Sequence, residues 1–206
     1  MTQTIPYYFS IISPWAYLGH AEFTRVATRH GLAIDYRPVP LGKLFAETGG
    51  LPLAKRHPSR QHYRMVELQR WRERRDIPLV LRPRHWPFDP SLADRLVIAI
   101  AESGADVEAY LPFVFRAAWA EQQDVADTAV LAAILDRGRL DPALLGAAES
   151  ETIVGRYAHN LDDARANGVF GSPTYILDGE NFWGQDRLDM LEEAIIKGRK
   201  PFSADL

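Results

Sequence analysis

The chain has 206 residues, 47% of them hydrophobic and 25% charged, with a net charge of −3. That composition suits one packed domain, or one domain with a large insertion, and no window approaches the roughly 18 apolar residues a membrane span needs. There is no cysteine, which excludes a disulfide, a thiolate zinc site and a redox dithiol.

Ile5 to Ile12 is an apolar run that reads as a buried parallel strand. Ser13-Pro14 ends it and opens a helix, with Ser13 as N-cap and Pro14 at the first helical position. The helix is expected to reach His30, with Gly31 as its stop signal. Leu32 to Pro40 reads as a second strand, joined right-handedly to the first. Residues 41–167 read as helical. Tyr63, Met65, Val66, Leu68 and Trp71 give one helix an apolar side. Asp89-Pro90 and Asp141-Pro142 are cap-then-proline starts, and Pro112 marks a start or a kink. Gly104, Gly138 and Gly168 punctuate helix ends.

From Gly168 the pattern changes. A glycine-rich loop leads into Ser172-Pro173, where a cis bond is expected. Thr174 to Leu177 reads as a strand, Asp178-Gly179 as a hairpin turn, and Asn181 to Trp183 as a second strand. A helix with Leu188, Leu191, Ile195 and Ile196 on one stripe follows Gly184-Gln185-Asp186. The expected architecture is α/β and thioredoxin-like. Residues 1–40 and 168–206 form a discontinuous thioredoxin-like domain, and 41–167 form an all-helical insertion that acts as a lid.

Lys55 to Arg84 holds ten Lys or Arg against three acidic residues, a net +7, so the rest carries −10. With no nucleic-acid motif present, that block reads as a solvated helix face or one wall of an anion site. Met1 to Ser10 lacks a basic segment followed by an apolar one, so the expected location is the cytoplasm. His57 and His62 lie five apart beside Pro58, poor spacing for metal ligands, and no metal site is expected.

Three stretches carry chemistry. Backbone N–H groups at the start of the first helix favour an anion, and the Ser13 hydroxyl there can donate to a thiolate. The same serine also fits a plain N-cap. A cis Pro173 would turn the Ser172 N–H and C=O outward as a strand edge for an extended peptide, although Gly-Ser-Pro also fits a plain turn. The Gln185 and Asp186 N–H groups suit a carboxylate, with the Asp186 side chain for an adjacent ammonium; helix capping explains them equally. Together they match the thiol, peptide backbone and γ-glutamyl head of glutathione, with Lys and Arg of the basic block available to a substrate carboxylate.

The segments Tyr8-Phe9-Ser10-Ile11-Ile12-Ser13-Pro14-Trp15-Ala16-Tyr17-Leu18, Gly168-Val169-Phe170-Gly171-Ser172-Pro173 and Phe182-Trp183-Gly184-Gln185-Asp186-Arg187-Leu188 carry a resemblance over nearly the whole chain. The sequence resembles the 2-hydroxychromene-2-carboxylate isomerase family, related to kappa-class glutathione transferases and more distantly to DsbA-like oxidoreductases. The resemblance implies glutathione as cofactor, with Ser13 contacting its sulfur as the catalytic residue. It implies backbone contacts at Ser172 and Pro173, a γ-glutamyl site at Gln185 and Asp186, and substrate contacts from Arg60 and Trp86. It also implies a homodimer and a small-molecule substrate. The implied reaction is a cis–trans isomerisation of an unsaturated 2-oxo acid by reversible thiolate addition. Three positions depart from the family: Thr48-Gly49-Gly50-Leu51-Pro52 has Gly50 for a frequent Asn, Arg60 (or Lys55) stands for a lysine, and Asp89 stands for an Asn. A kappa-like transferase and a non-catalytic peptide or small-ligand binder are the alternatives. A serine hydrolase is not indicated, since G-x-S-x-G is missing.

Overall fold

A computed structural model of the chain describes residues 2–204. Four strands form one sheet in the order β2-β1-β3-β4. β1 (Thr4–Phe9) is parallel to β2 (Ala33–Pro38) and antiparallel to β3 (Thr174–Leu177), which pairs antiparallel with β4 (Glu180–Trp183). The thioredoxin-like α/β architecture is as the sequence implies.

β1 is central and buried on both faces. Alternate side chains point to opposite sides of a strand. Ile5, Tyr7 and Phe9 therefore enter one apolar cluster with helical residues such as Leu18, Leu96 and Phe115. Tyr8 enters a second cluster with Val39, Leu44, Leu161 and Ile176. Both strands are shorter than their apolar runs suggest. β1 stops at Phe9 because residues 10–13 curl into a turn, closed by the Ser13 N–H to the Ser10 carbonyl at 3.0 Å.

Helix α1 (Pro14–Arg29) begins as expected: Ser13 is its N-cap and accepts from the Ala16 N–H. Gly31 follows its end at φ +63°. Between β2 and β3 the chain forms only helices: α2 (Leu41–Thr48), α3 (Pro58–Arg75), α4 (Ser91–Glu102), α5 (Leu111–Trp119), α6 (Thr128–Arg137), α7 (Ala143–Ala147) and α8 (Glu151–Ala166). Asp89 and Asp141 each cap a backbone N–H two residues on, Ser91 and Ala143, so the prolines sit just outside α4 and α7. Pro112 lies in the first turn of α5, a start and not a kink. His57 caps α3 through its ring, which accepts from the Ser59 N–H. On α3 only Leu68 is fully buried, and Tyr63, expected on the apolar side, is 58% exposed.

The C-terminal half follows the pattern closely. Asp178 and Gly179 both have positive φ, 50° and 89°, as a two-residue hairpin turn requires. After β4 the chain makes a 3-10 turn, Gln185–Arg187, before α9 (Leu188–Lys197). The buried stripe of α9 is Leu188, Leu191 and Ala194; Ile196 is 68% exposed, so the expected stripe is one position out of phase at its end.

Trp119 at the end of α5 ties two loops together. Its indole N–H donates to the Ile11 carbonyl at 2.9 Å, and its own carbonyl accepts from the Val80 N–H at 2.7 Å. It is almost wholly buried. Replacing Trp119 by Phe leaves a buried carbonyl unpaired and removes ring volume, so urea denaturation of W119F should show a loss of about 2–4 kcal/mol.

Candidate active site

The first helix tip and the proline loop meet. The Ser13 hydroxyl donates to the Ser172 carbonyl at 3.1 Å while accepting from the Ala16 N–H at 3.3 Å. Ser172–Pro173 is cis. The expectation that both Ser172 backbone groups face outward is corrected in part: its carbonyl is taken by Ser13 because the tip of α1 sits directly against it. Its N–H makes no bond among the described residues, and neither does that of Trp15 in the first turn of α1. Two unpaired amides and one rotatable hydroxyl thus converge at a helix N-terminus, an arrangement that favours an anion.

A second tie runs beneath. The Ser10 N–H donates to the Ser172 hydroxyl at 3.2 Å. The Ser10 hydroxyl donates in turn to Asp94 at 2.7 Å, and the Ile11 N–H donates to the other Asp94 oxygen at 2.9 Å. Tyr157 on α8 donates to Asp94 at 2.8 Å. Asp94 has no exposed surface. Three donors favour its charged form, but burial outweighs them and pushes the carboxyl up to about 7. Burial beside Asp94 likewise raises the Tyr157 phenol. The sequence reading passed over Asp94 and Tyr157. The available signal was an acid at the helical spacing of Val97 and Ile98, on the apolar face of α4.

Gln185 and Asp186 open the 3-10 turn, with N–H groups that make no bond among the described residues. The Gln185 side chain is buried and used internally: Arg75 donates to its amide oxygen and to its backbone carbonyl, each at 3.3 Å. Arg75 also pairs with Glu22 of α1 at 3.1 Å. Gly19 lets α1 approach, since a Cβ there would overlap the Gln185 Cβ. The Asp186 carboxylate is exposed and paired with Arg187 at 2.6 Å, so an incoming ammonium would compete with a guanidinium.

Of the two expected substrate contacts, Arg60 is exposed on the first turn of α3 and forms no ion pair among the described residues. Trp86 is half-buried and precedes a second cis proline, Pro87, which the sequence reading did not anticipate. Among the described residues no three His, Cys, Asp or Glu converge as metal ligands, and no helix is long and apolar enough to cross a membrane.

Sheet order, cis-proline loop and capped α1 define a thioredoxin-class domain without a cysteine of its own. The family model of the DSBA-like thioredoxin domain matches residues 4–196. The chain is 32% identical over 200 residues to 2-hydroxychromene-2-carboxylate isomerase of Sphingobium xenophagum, covering 95% of this chain and 100% of that protein. A solved 2-hydroxychromene-2-carboxylate isomerase superposes with a TM-score of 0.80 at 30% identity, covering 95% of each chain. A shorter match, 36% identity over 80 residues, joins 38% of this chain to 35% of glutathione S-transferase kappa 1 of Caenorhabditis elegans. The chain belongs to the 2-hydroxychromene-2-carboxylate isomerase family.

The Asp94 carboxyl yields a pH prediction. Its folded value lies above the usual value of about 4, so the folded chain binds more protons than the unfolded chain between about pH 4 and 7. The Asp94 contribution to stability is therefore fully present below pH 4 and lost as pH rises to about 7. Urea midpoints of wild type and Asp94→Asn, compared at pH 4.5 and 7.5, should show wild type losing ground to the variant by about 1–4 kcal/mol. A constant difference would contradict the assignment.

Proposed function

We propose that the chain is a glutathione-dependent cis–trans isomerase of an unsaturated 2-oxo acid derived from an aromatic ring. The observation that carries this is the 3.1 Å meeting of the Ser13 hydroxyl with the Ser172 carbonyl, flanked by the unpaired N–H groups of Trp15 and Ser172. The relatives that match almost end to end are named 2-hydroxychromene-2-carboxylate isomerase, which supports isomerase chemistry.

The residues suit glutathione. Bound there, it would supply a nucleophilic thiolate suited to reversible addition to a conjugated double bond. Ser13 turns its O–H about the Cβ–Oγ bond from the Ser172 carbonyl toward the sulfur. The Trp15 N–H and the end of α1 add partial positive charge. Ser172, ahead of Pro173, offers its N–H to the peptide backbone. The Gln185 and Asp186 N–H groups hold the γ-glutamyl carboxylate, and the Asp186 side chain takes the ammonium. Arg60 and Trp86 contact the substrate. Each unit of thiol pKa depression is about 1.4 kcal/mol of thiolate stabilisation, and a hydroxyl donor with a helix end is adequate for about one or two units.

The short similarity to a kappa-class transferase supports a second reading, in which a stable conjugate is released. Product analysis separates the two: the isomerase returns all glutathione, and the transferase consumes it.

Ser13→Ala tests the site. In the complex the glutathione thiol pKa, read from thiolate absorbance, should rise by about one unit, and kcat/KM at pH 7 should fall about tenfold. The deficit should shrink above pH 9. Ser13→Thr, which keeps cap and hydroxyl, should restore most of the activity. Full activity with an unshifted thiol in Ser13→Ala would refute the role.

A further inference from the structure

Arg64 on α3 is half-buried and has no acidic partner among the described residues. Its one polar contact is the Met65 sulfur at 4.0 Å, a weak acceptor. A guanidinium withdrawn from water is normally paired. Burial, with repulsion from Arg56 added, pulls Arg64 down to about 10, which leaves it a cation at neutral pH.

Trp86 presents a second unmet donor. Its indole N–H is buried and has no hydrogen-bond partner among the described residues, against the general rule for buried polar atoms. The Arg64 guanidinium carbon lies 5.8 Å from the centre of the same ring. The two donors thus belong to neighbouring side chains, and among the described residues neither has an oxygen acceptor.

The pair connects to the Ser13 loop through two intervening aromatic residues. Phe88, two residues after Trp86, packs edge-on to Trp119 with ring centres 6.4 Å apart. The Trp119 indole N–H reaches the Ile11 carbonyl, two residues before Ser13. Arg60, one turn earlier on α3, stands in solvent, where an ion pair is weak. Arg64 is half-buried, where the same pair would be partly desolvated.

We infer that the Arg64 guanidinium and the Trp86 indole N–H form a carboxylate subsite that binds the acid group of the electrophilic substrate. A planar two-oxygen anion matches the guanidinium fork and leaves a lone pair for the indole. The identity of the acid rests on the proposed isomerase reaction; the preference for a carboxylate does not. The glycyl carboxylate of glutathione has the same chemistry, and the experiment separates the two sources.

Calorimetric titration of the full chain with cinnamate, an unreactive conjugated acid, needs neither glutathione nor turnover, so it reports on the subsite even if the isomerase reading fails. Arg64→Met should weaken cinnamate binding by about tenfold or more, Arg64→Lys by less, and Trp86→Phe by a few-fold. Neutral cinnamamide should bind wild type and Arg64→Met alike. Glutathione affinity should be unchanged in Arg64→Met, while KM for the oxo acid rises and kcat changes little. Cinnamate that fails to bind wild type, or binds Arg64→Met as tightly, overturns the subsite. An equal loss for cinnamamide shows packing, not anion recognition, and also overturns it. A loss confined to glutathione assigns the pair to the glycyl carboxylate and overturns the substrate assignment.

Discussion

A hydroxyl at position 13 donating to a carbonyl at position 172 joins the two ends of the fold. The rest of the site takes its place from that bond. It needs β1 and β3 side by side in the sheet, α1 starting where β1 leaves it, and the cis bend ahead of Pro173. Each of these is a backbone requirement that particular residues meet: a serine that caps, prolines at the first helical position and in the bend, and a glycine that lets α1 approach the turn before α9.

The chain keeps the geometry that a thioredoxin-class protein uses to handle sulfur, and has no cysteine of its own. Electron exchange through a protein dithiol is therefore closed to it. What survives is electrostatic: free amides, a helix end and one hydroxyl. Effects of this size, about 1–3 kcal/mol together, shift a thiol equilibrium without creating a covalent bond to the protein. That modest requirement suits the proposed reaction, in which sulfur adds and leaves unchanged.

The helices between β2 and β3 do more than cover the sheet. Asp94 of α4 and Tyr157 of α8 hold the Ser10–Ile11 segment from below through a buried carboxylate. Trp119 of α5 fixes the same segment from the side. The loop that carries Ser13 is thus gripped by three helices distant from it in sequence. Burial of Asp94 opposes its charged form, and the three donors offset part of that cost.

Local chemistry was legible in the chain itself. The Ser13-Pro14 cap, the strand Thr174–Leu177, the Asp178-Gly179 turn and the cis Ser172–Pro173 bond follow from residues adjacent to one another, whose conformational preferences act over one or two peptide units. Strand ends, the phase of α9 and the exposure of Tyr63 were misread because burial depends on what packs opposite, and an apolar pattern does not name its partner. The sequence on its own determined the class of fold, the absence of a protein dithiol and the two loops that form the candidate site. Only the tertiary structure decided that the Ser172 carbonyl is spoken for, that Asp94 lies beneath the candidate site, and that Arg64 is half-buried while Arg60 is exposed. Those facts are contacts between residues far apart along the chain, and they exist only once the chain has closed on itself.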